Sequence, residues 1–337
     1  MFAFEEGGHS LLSCDVGECS RRHNHSVWCM AVAVDVVVIL LSILALWKGA
    51  DALVEAASRM AVRLGVSQLV IGLTIVAFGT SAPELVVSVL AAVRGQSDIS
   101  VGNVVGSNIF NLGFILGGVA LLRTIRTSYH LVYRDGTMLI GISGLLLLFM
   151  LDLHLERWEA GILLFTLLGY IGFLVFRKHD DAAEDLPEGE FSRSDIFRLL
   201  GGLGGVIAGG HFFVDSASDL ARLVGMSEWT IGVTIVAAGT SAPELATSLV
   251  AAIRGRHAIS AGNLIGSDIF NILGVLGVAG LISPLTISSG AISSLYMLCG
   301  LMVVVVLMMR TGWKVSRLEG ALLLLSGLVR WILDFSV

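Results

Sequence analysis

The heptapeptide GTSAPEL spans Gly79–Leu85 and returns letter for letter at Gly239–Leu245. Both copies stand in strongly apolar sequence, and each sets a proline beside a glutamate. Proline lacks an amide N–H, and its ring crowds the carbonyl four residues earlier, so a helix passing through it breaks. The crowded residue is Gly79 in one copy and Gly239 in the other, the residue type that best tolerates the distortion. Of the four prolines in the chain, two occupy this repeated position, so the break belongs to the design. A carboxylate in hydrocarbon costs about 2.5 kcal/mol or more on insertion scales, and such a residue usually serves an ion or proton path.

Outward from the motif, Ser67–Asn111 aligns with Ser227–Asn271 at a constant offset of 160, with 28 identities in 45 positions. The surrounding chain of 337 residues is 55% hydrophobic and 14% charged, too few charges to cover a soluble surface. Its mean hydropathy of +0.87 comes from recurring apolar runs long enough to cross a bilayer. Spans are expected near 31–57, 68–92, 99–122, 136–152, 158–176, 196–224, 228–252, 259–283, 288–309 and 317–335. The fold class is therefore an all-α polytopic membrane protein of ten transmembrane helices. Residues 30–176 form the first five-helix repeat, 177–195 an acidic loop, and 196–337 the second repeat. Five spans per repeat is an odd number, so the second repeat enters from the opposite side and the two have inverted topology.

Lys and Arg set the orientation. Fourteen of them fall in the loops between spans 1 and 2, 3 and 4, 5 and 6, 7 and 8, and 9 and 10, against six on the other side. The richer side is expected to be cytoplasmic, in a plasma or inner membrane, with both termini outside and loop 177–195 inside. Residues 1–29 form a polar extension, expected to lack fixed structure and without a signal-peptide core. A native start at Met30 is one reading of it; a metal cluster of His9, His23 and His25 with Cys14, Cys19 and Cys29 is the other. Asp51, Glu55, Asp215 and Asp219 read as interfacial charges paired with Lys48, Arg59 or Arg222.

Around each break the side chains offer oxygen. Thr80, Ser81 and Glu84 share a helical face, as do Thr240, Ser241 and Glu244. The segments GNVVGSNIFN (102–111) and GNLIGSDIFN (262–271) add Ser107 with Asn111 and Ser267 with Asn271. Their G-x-x-x-G spacings, Gly102/Gly106 and Gly262/Gly266, are expected to press span 3 on span 2 and span 8 on span 7. Carbonyls near Ala77–Gly79 and Ala237–Gly239 are expected to lose their helical partners. Carboxylate, amide, hydroxyl and carbonyl oxygens suit hard cations, Ca²⁺ or Na⁺, over transition metals. Two glutamates would be neutralised by one Ca²⁺ or two Na⁺.

The doubled GTSAPE and GN-x-x-G-S-x-I-F-N segments resemble the repeats of the calcium/cation antiporter superfamily, as found in bacterial and archaeal sodium/calcium exchangers. The resemblance covers Met30 to the C-terminus. It implies alternating access around a midplane metal site built from Thr80, Ser81, Glu84, Ser107, Asn111, Thr240, Ser241, Glu244, Ser267 and Asn271, with carbonyls of Ala77 and Ala237. Some members carry aspartate at the position of Asn271; here Asp268, aligned with Asn108, is a further possible ligand. The implied function is Ca²⁺ export against Na⁺ entry, with Ca²⁺/H⁺ or K⁺-dependent exchange as the alternative and a cation channel less favoured. No enzyme activity and no cofactor are expected, only the transported Ca²⁺ and Na⁺. The partners are those ions and the lipid bilayer, with no nucleic acid or obligate protein partner. No Walker A loop offers ATP-driven pumping.

Overall fold

A computed structural model describes residues 16–176, 192–226 and 237–335. The first repeat forms α1 (Val16–Leu64), α2 (Gln68–Thr80), α3 (Ala82–Val93), α4 (Ser97–Leu122), α5 (Leu131–Asp152) and α6 (Arg157–Phe176). The second forms α7 (Arg193–Leu223), α8 (Ala237–Thr240), α9 (Ala242–Ile253), α10 (His257–Ile282), α11 (Ala291–Trp313) and α12 (Arg317–Phe335). Among the described residues, seven helices are long and apolar enough to cross a membrane, and the bent pair α2–α3 makes an eighth. The seventh expected span is represented only by α8 and α9, since 227–236 lie outside the described residues. The tenth, 317–335, coincides with α12.

Two boundaries differ from expectation. α1 runs for 49 residues, beginning well before position 31. At about 1.5 Å per residue it is much longer than a hydrocarbon layer of about 30 Å. No proline interrupts 16–29, so the helix continues back through this polar stretch; residues 1–15 lie outside the described residues. The acidic segment likewise ends early. Ser192 caps α7, its hydroxyl accepting the Ser194 N–H while the Asp195 carboxylate accepts the Ser192 N–H at 2.8 Å. Asp195 is therefore a buried helix residue, and Arg59 of α1 donates to it at 2.8 and 3.1 Å. Arg59 also pairs with Glu55. Arg222 pairs with Asp219 as expected, whereas Asp51 takes Arg254 and Asp215 takes His211.

α1 and α7 cross at a glycine seam. A Cβ built on Gly202 would lie 2.7 Å from the Gly49 carbonyl oxygen, so the two backbones touch directly. The remaining helices pack into one apolar core centred on Leu112, Ile115 and Leu116 of α4, Leu139 and Leu146 of α5, and Ile272, Leu273 and Leu276 of α10. Two short antiparallel ladders tie the halves together: Ile125–Arg126 with Lys314–Val315, and His154–Leu155 with Leu285–Thr286.

The G-x-x-x-G prediction needs correction. Gly262 and Gly266 of α10 pack on α2 of the other half, not on span 7. A Cβ on Gly266 would meet Leu73 Cα at 2.6 Å and Ala77 Cβ at 2.8 Å, and one on Gly262 would meet the Leu69 carbonyl at 2.9 Å. Gly102 and Gly106 would meet nothing within 4 Å among the described residues. The glycine face of one half serves the close approach of the other.

Candidate ion-binding site

The break forms as the proline requires. α2 ends and α3 begins at Ser81 (φ −82°, ψ 10°), with a bend of 50° between them. Pro83 lies in the first turn of α3, where a missing N–H costs nothing, and Glu84 follows it. A negative side chain there is favoured by the positive end of the helix dipole. Ser241, Pro243 and Glu244 repeat the arrangement at the start of α9, with Ser241 at φ −88°, ψ 7°.

The two breaks meet. The Ser81 hydroxyl donates to Glu244 Oε1 at 2.8 Å, and the Ser241 hydroxyl donates to Glu84 Oε1 at 3.2 Å. Each glutamate is thus held by the serine of the opposite repeat. Glu84 is 1% exposed and Glu244 is fully buried. Thr240 and Thr80 also interact with Glu84 and Glu244 respectively. Thr80 further donates to Asn263 Oδ1 at 3.1 Å, and Ser267 reaches Glu244 Oε1 at 3.4 Å. Ser107 is buried in α4.

Behind the glutamates runs a second polar layer. Asn103 donates to the Glu84 carbonyl at 3.3 Å and to Ser88 Oγ at 2.9 Å; Asn263 does the same to the Glu244 carbonyl at 3.4 Å and Ser248 Oγ at 2.9 Å. The Ser88 hydroxyl in turn donates to the Ser100 carbonyl at 3.2 Å, and the Ser248 backbone carbonyl accepts from the Ser260 hydroxyl at 2.8 Å. These bonds fix the first turns of α3 and α9 to α4 and α10.

Where α4 meets α10, asparagines cross the halves. Asn111 Nδ2 donates to Asp268 Oδ1 and Asn271 Nδ2 to Asn108 Oδ1, both at 3.0 Å. Asn108 Nδ2 donates to the Asp268 carbonyl at 3.2 Å. Both α4 and α10 widen into π-helical turns that begin at Asn111 and at Asn271. Such turns frequently mark functional sites.

Five buried oxygens here find no hydrogen-bond partner among the described residues: Glu84 Oε2, Glu244 Oε2, Asn111 Oδ1, Asn271 Oδ1 and Asp268 Oδ2. All five are acceptors. An unpartnered buried polar atom costs about 1–3 kcal/mol, more when charged, so a set of acceptors alone is the chemistry of a cation site. Hard oxygen donors without thiolate or imidazole fit Ca²⁺ and Na⁺ as cargo.

The structure thus gathers Thr80, Ser81, Glu84, Ser241, Glu244 and Ser267 around one locus, with Thr240 in contact with Glu84; Asn111 and Asn271 meet at the crossing of α4 and α10, and Ser107 is buried in α4. It corrects the expected freeing of the Ala77 carbonyl, which accepts the Ser81 N–H at 3.0 Å and the Thr80 hydroxyl at 3.3 Å. The physical reason is register: Pro83 removes the donor that Gly79 would have received, two residues beyond Ala77. For Ala237 the preceding residues lie outside the described range. Asn103, Asn108, Asn263, Ser88 and Ser248 were missed as contributors. Asn103 and Asn263 stand in both copies of the G-N motif, which was the available signal.

A cavity of about 750 Å³ reaches the breaks from one side, between α7 and the starts of α3 and α9. Pro83, Gly239, Thr240 and Pro243 line it, together with Asp215 and Asp219.

Broken apolar helices meeting at a buried, oxygen-lined, doubly acidic site place the chain among membrane ion transporters. The chain belongs to the sodium/calcium exchanger protein family, whose model matches residues 34–176 and 195–326. It is 33% identical to the sodium/calcium exchanger MaX1 of Methanosarcina acetivorans, over 87% of this chain and 96% of that protein. It is 33% identical to the inner membrane protein YrbG of Escherichia coli, over 87% of this chain and 94% of that one. The fold superposes on a structure of the sodium-calcium exchanger NCX_Mj soaked with Na⁺ and Sr²⁺, with TM-score 0.79 and 30% identity. That match covers 89% of this chain and 98% of the other.

Proposed function

We propose that the protein is a secondary antiporter that exports Ca²⁺ from the cytoplasm in exchange for entering Na⁺. The observation that carries the reading is the reciprocal pair, Ser81 on Glu244 and Ser241 on Glu84, with the second oxygen of each glutamate left to an ion. Because each ligand group is assembled from both repeats, a rearrangement of one repeat against the other changes the whole site at once. That is the requirement for alternating access.

Ten spans in two inverted repeats agree with the strand ladders. Ile125–Arg126 and Leu285–Thr286 are 160 residues apart, as are His154–Leu155 and Lys314–Val315. Each ladder pairs the end of one repeat's third span with the end of the other repeat's fourth. Those ends share a membrane face only when the second repeat is inverted. With the Lys/Arg-rich loops cytoplasmic in a plasma or inner membrane, both termini lie outside and the cavity beside Asp215 and Asp219 opens outward. The Arg59–Asp195 pair then sits at the cytoplasmic end of α1 and α7, the two helices that the glycine seam lets slide as a gate.

Glu84 and Glu244 are the charged ligands. Thr80, Ser81, Ser107, Asn111 and their counterparts Thr240, Ser241, Ser267 and Asn271 complete coordination, with backbone oxygen from Ala237 as a further ligand. An empty site buries uncompensated charge, which opposes translocation without an ion and so prevents leak.

Proteoliposomes loaded with Na⁺ and diluted into ⁴⁵Ca²⁺ test the reading. Uptake should follow an imposed Na⁺ gradient and ignore K⁺ and pH gradients of equal size. Uptake driven by the pH gradient alone would make the protein a Ca²⁺/H⁺ exchanger instead.

A further inference from the structure

The two short ladders are built alike and charged differently. Positions 160 apart correspond, so Arg126 faces Lys314 in one ladder where Thr286 faces His154 in the other. His154 Nδ1 and Thr286 Oγ1 share a hydrogen bond at 3.0 Å. Arg126 and Lys314 are both exposed, and neither has a hydrogen-bond or ion-pair partner among the described residues. Like charges directly opposite each other in a ladder destabilise it. The other ladder forms without them, so the fold does not account for the two cations.

More positive charge converges here. Arg123 donates to the Ile253 carbonyl at 2.8 Å, and Arg317 donates to the Leu122 carbonyl at 3.5 Å. A guanidinium carries five donors, so most of theirs remain for another acceptor. α10 packs against the Arg126 strand, and Arg123 and Arg126 both act on His257 at its start. The neighbouring Arg256 has a buried Nη1 with no acceptor among the described residues. At the matched positions of the opposite face stand Ser283, Thr286, Gln96 and Ser97, all uncharged; only Arg317 has a cationic counterpart, Arg157. Orienting a chain in a bilayer requires basic residues on one side, but not two of them face to face. The cluster also borders apolar surface. Leu122 and Leu318 are 64% and 72% exposed beside Arg123 and Arg317. Tyr129, Tyr133 and Trp313, side chains of the kind that favour a membrane interface, pack together on its other flank. The Thr127 N–H donates to the Trp313 carbonyl at 3.0 Å and ties that aromatic group to the ladder. An anion carrying an acyl tail satisfies both the charged and the apolar parts of this surface, whereas a free anion satisfies only the first.

We infer that the Arg126–Lys314 pair, with Arg123 and Arg317, forms a binding site for the headgroup phosphate of an anionic phospholipid whose acyl chains lie on Leu122 and Leu318. The phosphate offsets the repulsion between the two facing cations and accepts the free guanidinium donors around them. Basic pockets between membrane helices recognise such headgroups in this way. Arg123 and Arg126 belong to the first repeat and Lys314 and Arg317 to the second, so the bound lipid bridges the two halves. This goes beyond the exchanger reading and does not depend on which ions are exchanged.

The test uses the purified full chain in detergent, titrated with phosphatidylglycerol or with phosphatidylcholine, and reads bound lipid by native mass spectrometry. Both lipids carry a phosphate and two acyl chains, but only phosphatidylglycerol is net negative. Arg126→Thr combined with Lys314→His installs the pair that the other ladder already holds, so the strand pairing is retained. Arg157→Gln, on the opposite face, is the control. The unaltered protein should bind phosphatidylglycerol about tenfold or more tightly than phosphatidylcholine, with the preference shrinking as salt rises. The double variant should bind the two lipids within about threefold of each other, while Arg157→Gln keeps the full preference. Equal binding of both lipids by the unaltered protein would overturn the inference, whether or not the double variant folds. A double variant that keeps the preference would overturn it too, because the lipid would then bind elsewhere. So would displacement of phosphatidylglycerol by inorganic phosphate, since the site would then be one for a free anion.

Discussion

The crossing of the two helix breaks and the seam between α1 and α7 are built on opposite principles. At the breaks, directional bonds run across the halves: serine to glutamate, asparagine to aspartate, asparagine to asparagine. Along the seam, contact is bare backbone at Gly49 and Gly202, and the described polar tie between the two helices is Arg59 with Asp195 at one end. Directional bonds specify one geometry, while a smooth glycine face accepts several. Under the exchanger reading proposed above, the crossing serves ion recognition and the seam serves movement.

The sharpest way to break this contrast is to roughen the seam. Gly202→Val adds atoms where even a Cβ would lie 2.7 Å from a carbonyl, and overpacking of this kind costs about 1–3 kcal/mol. Exchange should fall more than tenfold while equilibrium ⁴⁵Ca²⁺ binding stays within about threefold, since no ligand is touched. Equal loss of both would mean that the seam and the site are one rigid unit. Next in size is the latch. Arg59→Met leaves the buried Asp195 without its main partner, and breaking a buried pair costs roughly 3–5 kcal/mol. The thermal midpoint in detergent should drop clearly, with Asp195→Asn in the same background recovering much of the loss. An unchanged midpoint would show that the pair contributes nothing to holding the gate.

Smaller effects belong to the crossing. Ser81→Ala and Ser241→Ala each remove one bond to a charged group, worth about 1.5–3 kcal/mol, so Ca²⁺ affinity should fall about tenfold or more in both. The two losses should be similar because the pair is reciprocal; a loss confined to one variant would mean that only one glutamate holds Ca²⁺. Asn103→Ala and Asn263→Ala act one layer back, on the carbonyls of Glu84 and Glu244. Each is expected to weaken binding only a few-fold, at about 1 kcal/mol for a neutral hydrogen bond.

Much of this was legible before any coordinates. The doubled Pro83/Glu84 and Pro243/Glu244 announce a broken, charged helix, because proline and carboxylate are each costly in hydrocarbon and their coincidence needs a purpose. The repeat offset announces two halves. What stayed hidden is which half supplies each partner. Gly262 and Gly266 are a glycine face in any sequence reading, but only the superposed halves reveal that α2 fills it. The partners of Asn108 and Asp268 stay hidden because helical spacing orders side chains on their own helix and says nothing of the facing one. The π-turns at Asn111 and Asn271 have no local sequence mark, and the register of the break kept the Ala77 carbonyl occupied.

The central claim is that both repeats build one shared ion site around Glu84 and Glu244. Na⁺-driven ⁴⁵Ca²⁺ uptake into proteoliposomes, compared among the unaltered protein, Glu84→Gln and Glu244→Gln, tests it most directly. Both variants should reach the membrane folded and both should lose uptake by about a hundredfold or more, as expected when a buried charge that meets the ion is removed. A variant that keeps half of the unaltered uptake, at either position, would contradict a single site made by both halves.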